Sequence, residues 1–392
     1  VARILAARGV PVIGVAGDRR HWAARTRVVR HVIETDHNSA GLVDELVTRA
    51  HEFPDGAVLI PCTDVSVLAV ARSADVLRPT YRFSLPGAAT VERLLDKASF
   101  ASAAADAGGQ VARTYEIRGP DDAAAVVEAG ALPCVVKPAR KDARWLEGAP
   151  DKAFKVDTAE ELVHTVSRAL GWSDHLIVQE WVPGTDEDLV TCNCYIGPDG
   201  KVEGVVVSTK LRQWPPRTGT ASAAVTVDDP EVAGLTVDLL TSVGFVGFGY
   251  VEFKRHATTG VPMAIEANVG RPTGRSAMAE AAGTELHHAY YADLAGLSRP
   301  ALEAPRAGVT WLHLRRDIQA AAWGRRRREL TLGSWLRSLR APRRYAVASW
   351  SDPVPFLLDW WAVVAKRLPR LRGGGGRPTA PGGGASERAA GQ

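Results

Sequence analysis

Four runs between residues 188 and 269 alternate apolar and polar residues with a period of two: DLVTCNCYIG, KVEGVVVSTKLRQ, GYVEFKRH and MAIEANV. This rhythm excludes helix and demands strands, because successive side chains on a strand point to opposite faces. PDG joins the first two runs and ATTGVP the last two, so each pair reads as an antiparallel hairpin. The predicted sheet has one awkward property. Glu266 and Asn268 interrupt AIEANV two positions apart and therefore share a face, and Glu252 interrupts YVEF in the neighbouring run.

Carboxylates gathered on one face of a sheet repel one another unless a cation joins them. Two carboxylates and an amide oxygen make a hard oxygen set suited to Mg²⁺, or Mn²⁺, with phosphate oxygens completing the octahedron. The alternative is a solvated sheet face. The cations follow similar logic. Lys137 ends the apolar run CVVK, where a buried ammonium needs an anion. Lys97 lies in the helical stretch LLDKASF, for which a solvated face is the competing reading. Lys210 and Arg212 are two apart in STKLRQ and are expected to share a face able to hold phosphate or carboxylate, against an ordinary surface pair. In VQEWVPG a strand ends in Gln179–Glu180 and then turns, which can offer backbone groups to a planar ring, although many strand ends look alike.

Ahead of these strands the rhythm differs. Strands are expected at 11–15, 28–34 and 57–61 and helices at 39–51 and 65–77, an alternation that predicts a parallel sheet with helices on its faces. The run VARILAARGVPVIGV reads as helix then strand, so a strand is expected to precede residue 1. Cys62–Asp64 follows the run AVLIP at the carboxyl end of a predicted strand, where such sheets bind ligands; Asp64 reads equally as a helix N-cap. Helices are expected over 91–108, 121–130, 159–170, 231–244, 276–283 and 285–297, strands over 111–116, 134–137 and 175–182, and a loop over 138–151.

Charge divides the chain further. Its net +4 conceals +10 over residues 311–372, from 14 Lys/Arg and 4 Asp/Glu; that segment also holds RRRR (325–328) and six of the eleven tryptophans. Residues 373–392 have a Gly/Pro-rich linker composition and are expected to be disordered. The four cysteines include no CxxC pair, no run reaches the length of a membrane span, and no P-loop, GxSxG or HExxH occurs. A reduced, cytoplasmic compartment is the default expectation.

LLDKASF, CVVKP, VQEWVPG, STKLRQWPP, YVEF and AIEAN stand in the order used by ATP-grasp ligases, which the chain resembles over roughly residues 1–300. KLRQ before a Pro pair and NVGRPTGRS make it look like the carboxylate–amine ligase branch, D-aspartate ligase-like proteins included. The resemblance implies mixed α/β and α+β architecture. A Rossmann-like preATP-grasp unit would cover 1–90 and the two ATP-grasp lobes 91–184 and 185–300. A helical basic extension (301–372) and the tail would follow.

The resemblance also implies roles. Lys97 and Lys137 would contact the phosphates of ATP. Gln179, Glu180, Trp181 and Val182 would form the adenine hinge, and Asp186 would meet the ribose. Glu252, Glu266 and Asn268 would hold Mg²⁺. Lys210, Arg212 and Arg271 would stabilise the transferring phosphoryl group and an acyl phosphate. The family's ExNxR pattern puts arginine where this chain has Gly270, so Arg271 and Arg275 compete for that role. In place of a glycine-rich phosphate loop the chain offers Lys141, Lys152 and Lys155.

The substrates implied are a small carboxylate and an amine, such as an amino acid or an envelope precursor. A kinase on the same fold, or an ATP-binding protein without turnover, would share these motifs. For 311–372 the competing expectations are a layer packed on the ligase body and peripheral contact with an anionic membrane at its inner face. Nucleic acid is not expected, since no recognised nucleic-acid-binding module is present.

Overall fold

The computed structural model describes residues 1–37, 41–140, 143–216, 219–340 and 343–367. The expected disorder of the tail and the contact expected of Lys141 lie outside these residues.

The N-terminal unit holds two short parallel pairs: Val12–Ala16 with Val29–Glu34, and Ala57–Val58 with Tyr81–Arg82. The strand expected over 57–61 is thus confined to two residues, and its partner at 81–82 is too short to show a period. The expected helix over 65–77 is broken at Ser73 into Asp64–Arg72 and Ala74–Leu77. Thr63, not Asp64, caps it: Thr63 Oγ1 accepts the Ser66 N–H at 3.1 Å, and Ser66 Oγ accepts the Thr63 N–H at 3.1 Å. This reciprocal box satisfies two helix-start donors and frees the Asp64 carboxylate for another partner.

A second unit is a four-stranded antiparallel sheet ordered Thr114–Ile117, Leu176–Glu180, Cys134–Pro138, Phe154–Val156. Ile117, Cys134, Val136, Val156, Leu176 and Val178 face the helices Asp122–Glu128 and Ala159–Ala169 and form a closed core. Period-two alternation then sends Val135, Lys137 and Gln179 the other way. The strand expected over 111–116 is split: Gln110–Val111 joins the larger sheet and Thr114–Ile117 this one. The chain changes sheet within a few residues, which periodicity cannot signal.

The larger sheet has eight strands in the order Arg343–Tyr345, Thr310–Leu312, Thr220–Thr226, Val202–Trp214, Leu189–Ile196, Gly247–Arg255, Pro262–Val269, Gln110–Val111, antiparallel except at its two ends. The predicted hairpin is present, with Gly200 at φ +79° and Gly197 N–H bonded to Lys201 O at 2.8 Å in its turn. Cys192, Cys194, Val207, Val251 and Val269 turn one face onto the helices Lys97–Asp106 and Pro230–Ser242; each fully buried aliphatic side chain contributes about 1.5–3 kcal/mol. On the opposite face Phe248 stacks on Tyr290 (centroids 4.4 Å apart), and the Tyr290 hydroxyl accepts the Ser84 N–H at 3.2 Å, tying this sheet to the N-terminal unit.

The basic segment is not purely helical. Thr310–Leu312 and Arg343–Tyr345 extend the large sheet; the helix Leu314–Arg326 packs on Val202–Trp214 and Thr220–Thr226, Leu332–Ser338 is tied to it through Trp335 and Asp317, and Val354–Arg367 lies against the turn Trp22–Arg25.

Candidate active site

The two sheets face each other across a cleft of about 600 Å³, the small sheet with the side turned away from its helices. Lys97, Lys137, Gln179, Glu180, Trp181, Val182, Lys210, Glu252, Glu266, Asn268 and Arg271, each singled out from the sequence, line it.

On the small sheet, Lys137 is buried and donates to Gln179 Oε1 at 2.8 Å; Gln179 in turn donates to Thr114 Oγ1 at 3.1 Å. The ammonium is therefore aimed by a held amide. Asp96 caps the helix that starts at Lys97, accepting the Ser99 N–H at 3.0 Å, and the Lys97 ammonium lies 3.4 Å from Ala139 O. Arg113 grips Glu180 at 3.0 Å and, as the chief cause, holds its carboxyl below the usual value. The Trp181 N–H is bonded to Pro133 O at 2.9 Å, whereas among the described residues the Val182 N–H makes no backbone bond.

On the large sheet the register places Glu252 directly opposite Glu266, and Tyr250 opposite Asn268. Asn268 Nδ2 lies 3.4 Å from Glu266 Oε1, and Lys210 donates to Glu252 Oε2 at 3.2 Å. Among the described residues no three His, Cys, Asp or Glu side chains gather to hold a metal; a cation here would be held by two carboxylates and the Asn268 amide oxygen, a set suited to Mg²⁺. Arg271 is fastened at three points, donating to Asp64, to Asn268 and to the Tyr250 hydroxyl at 2.8 Å. Burial opposes its charge, but Tyr250 and Asp64 outweigh burial and push its pKa up. Gly270 has φ +73°, and a Cβ there would meet Val67 and Leu85 at 2.5 and 2.6 Å. Arginine is thus excluded from the position the family pattern expects, and Arg271 follows the forced turn.

Two expectations are corrected. Lys210 and Arg212 do not share a face, because the register slips on either side of Arg212. Gln213 takes the cleft-facing position, and Arg212 points at the helix Leu314–Arg326, where Asp317 accepts from its Nε and Nη2 at 2.7 and 3.1 Å. Asp186 does not line the cleft; it stands behind Gln213, accepting from its amide at 2.6 Å.

Where a glycine-rich loop was the family's pattern, the helix Ala143–Gly148 is pinned by Trp145 against Phe154 and Trp172. Lys152 lines the cleft, while Lys155 pairs with Asp157 and sits over the Trp181 ring at 5.4 Å. Sequence reasoning missed Lys254, which lines the cleft and donates to Thr185 O. Burial, only partly offset by Asp188 and Asp186, lowers its pKa. Its position two residues after Glu252 was the available signal. Nothing local marked Trp22, Trp311, His313 or Arg316, which also line the cleft.

No family model matches the sequence, and a search of curated proteins finds no match. Solved structures do match. N5-carboxyaminoimidazole ribonucleotide synthetase from Thermus thermophilus shares 18% identity, with 78% of this chain and 77% of that chain covered and a TM-score of 0.59. The Staphylococcus aureus N5-carboxyaminoimidazole synthetase complexed with ADP gives 13%, 76%, 74% and 0.60. The biotin carboxylase domain of Hydrogenobacter thermophilus 2-oxoglutarate carboxylase, in complex with MgADP, ADP and bicarbonate, gives 13%, 79%, 70% and 0.61. At these identities the likeness is one of architecture: the chain has the ATP-grasp fold.

Proposed function

We propose that this protein is an ATP-dependent carboxylate–amine ligase. The observation that carries the reading is the facing pair Glu252 and Glu266 with Asn268, set across one cleft from Lys97 and Lys137. In this reading the two lysines and Lys152 contact the phosphates, and Val182 offers its N–H to the adenine. Glu252, Glu266 and Asn268 would hold Mg²⁺, which would supply neutralisation of the nucleotide's phosphate charge. A carboxylate oxygen of the acid attacks the γ-phosphorus and ADP leaves, giving an acyl phosphate. The amine nitrogen then attacks the acyl carbon, the carbon–oxygen bond to phosphate breaks, and the nitrogen loses a proton, leaving amide and phosphate. Lys210 and Arg271 face the oxygens on which charge develops, where fixed cations in a partly dry cleft act most strongly. Structures of the same fold in complex with ADP and MgADP support the nucleotide assignment.

The test is an acid-by-amine screen for phosphate release, with Glu266→Ala as the blank. ADP and phosphate should appear only when both substrates are present, and hydroxylamine should trap the acyl phosphate as a hydroxamate. AMP with pyrophosphate would refute the mechanism; ATP turnover with no hydroxamate would favour a kinase; full turnover by Glu266→Ala would remove the metal site.

We also propose that the enzyme works on the cytoplasmic face of an anionic membrane. Val354, Leu357, Trp361 and Val364 are 44%, 61%, 60% and 45% exposed. At 100° per residue they form one stripe about 80° wide. The opposite face is tied down, with Asp359 accepting from Arg315 at 2.7 and 2.8 Å. Both acids of the stretch 340–372, Asp352 and Asp359, are buried against Arg3 and Arg315, whereas the stretch carries seven Lys/Arg. Exposed apolar side chains in a stretch whose sequence is this rich in cations match an anionic bilayer surface. Among the described residues no helix is long and apolar enough to cross one. The protein should sediment with phosphatidylglycerol vesicles but not phosphatidylcholine vesicles, and Leu357→Glu/Trp361→Glu should abolish this. Indifference to vesicle charge, or concentration-dependent self-association through the stripe, would refute it.

A further inference from the structure

The cleft continues beyond the groups that the nucleotide reading employs. Thr310–Leu312 lies four strands from Gly247–Arg255, about 19 Å along the sheet at the usual strand spacing. Residues that follow this strand therefore stand well away from Glu252. Met278 packs with Trp311, Ala221 and Ala224, and Arg275, three residues earlier on the same cleft wall, stands beside Tyr250.

Three cleft-lining side chains here are poorly satisfied. Arg275 is 6% exposed, and its Nε has no hydrogen-bond partner. Among the described residues no carboxylate pairs with its guanidinium. His313 is also 6% exposed, and its Nε2 has no partner. Arg316 donates to Thr220 Oγ1 at 2.9 Å; the nearby Asp359 is already gripped by Arg315 at two points. The acids that line the cleft are committed elsewhere: Glu180 to Arg113, Glu252 to Lys210, and Glu266 beside Asn268. A buried polar atom left without a partner is costly, so the unpartnered His313 Nε2 beside the Arg316 guanidinium, with the unpartnered Arg275 Nε further along the same cleft, marks a place prepared for a ligand. The sign of the field decides which ligand: an ammonium would be repelled, an oxyanion drawn in. Burial and Arg316 also lower the His313 pKa, so a neutral ring can present Nε2–H without adding charge.

We infer that Arg275, His313 and Arg316 form a subsite for a second oxyanion of the acid substrate, remote from the carboxylate that is activated. The substrate is then a dicarboxylate or a phosphorylated acid, and the C-terminal segment selects it. This rests on the ligase reading for the existence of an acid substrate.

The experiment uses the full chain with ATP, Mg²⁺ and hydroxylamine, reading hydroxamate from propionate, from succinate and glutarate, and from 3-phosphoglycerate. A guanidinium–oxyanion contact corresponds to about a 10- to 100-fold difference in binding. Dianionic acids should exceed propionate in kcat/KM by that factor, and the preferred pair distinguishes a carboxylate from a phosphate subsite. Arg316→Gln and His313→Asn should raise KM for the dianionic acid about tenfold or more with kcat little changed, and Arg316→Lys should recover part of the loss. Arg316 is only half-buried, so its variants test the idea even if Arg275→Gln fails to fold. Calorimetric titration of succinate and of phosphate into the MgADP-loaded protein gives a readout free of turnover: binding lost in Arg316→Gln supports the subsite. Equal kcat/KM for propionate and the dianionic acids, or variants that lower kcat and leave KM unchanged, overturns the subsite while sparing the ligase. No hydroxamate from any acid, with MgADP still bound, overturns the ligase reading and the subsite with it.

Discussion

Replacing Asp317 by alanine removes the anion on which the contact between the C-terminal segment and the large sheet converges. The carboxylate is fully buried and accepts four bonds: two from Arg212, one from Trp335 Nε1 at 2.8 Å and one from Ser222 at 3.2 Å. Arg212 is itself only 12% exposed, so the variant strands a buried cation. Breaking such a pair costs about 3–5 kcal/mol, and the abandoned indole N–H adds about 1 kcal/mol. A total of about 4–6 kcal/mol is a large share of the 5–15 kcal/mol that holds typical domains together. Urea unfolding followed by tryptophan fluorescence should show the midpoint fall accordingly. The double variant Arg212→Met/Asp317→Leu removes both charges, leaves only the neutral donors unsatisfied, and should recover most of the loss. Its turnover should stay near that of the parent, because Arg212 does not line the cleft. A cost below about 1 kcal/mol for Asp317→Ala would refute the energetic argument. A folded double variant slowed a hundredfold would restore Arg212 to the reacting groups.

Gly270→Ala combines a left-handed backbone with overlap against Val67 and Leu85; about 2–4 kcal/mol should be lost in denaturant titration, with phosphate release falling as Arg271 shifts. Burial pushes the Cys134 thiol up to about 11 and Cys192 to about 12, and Cys194 is raised well above the usual value. Cys62 is exposed, although desolvation raises its thiol too, so a thiol reagent at pH 8 should modify one cysteine slowly in the native protein and four in denaturant. Burial raises the Asp352 pKa, but the Thr26 hydroxyl, the Arg27 N–H and Arg3 outweigh it and set the folded value below the unfolded one. Its contribution is thus full above about pH 5 and lost as pH falls through the carboxylate range. Asp352→Asn should flatten that part of the acid-unfolding profile, and an unchanged slope would show that the group is not linked to folding.

Much of the cleft was written in local pattern. Alternation fixes which way a strand side chain points once the strand exists, so Glu266 and Asn268 had to share a face, and Lys137 and Gln179 had to leave the small sheet opposite its helices. The helical character of 91–108 was similarly legible, but not the break at Asp96, whose carboxylate caps a second helix that starts at Lys97. Three further matters were not legible. Glu252 meets Glu266 because two strands pair in one register, and a one-residue slip would have turned either acid away. Arg212 left the face that alternation assigned it because the ladder to Thr220–Thr226 is irregular there, and Asp317, 105 residues away in sequence, rewards the new direction with two hydrogen bonds. Strand 310–312 is too short to announce itself, and only its pairing with Thr220–Thr226 brings Trp311, His313 and Arg316 to the cleft. The sequence by itself determined the facing of side chains, since that follows from backbone geometry over a few residues. Register, irregular pairing and the return of the basic segment were decided by tertiary structure, because their energies come from contacts between residues far apart in the chain.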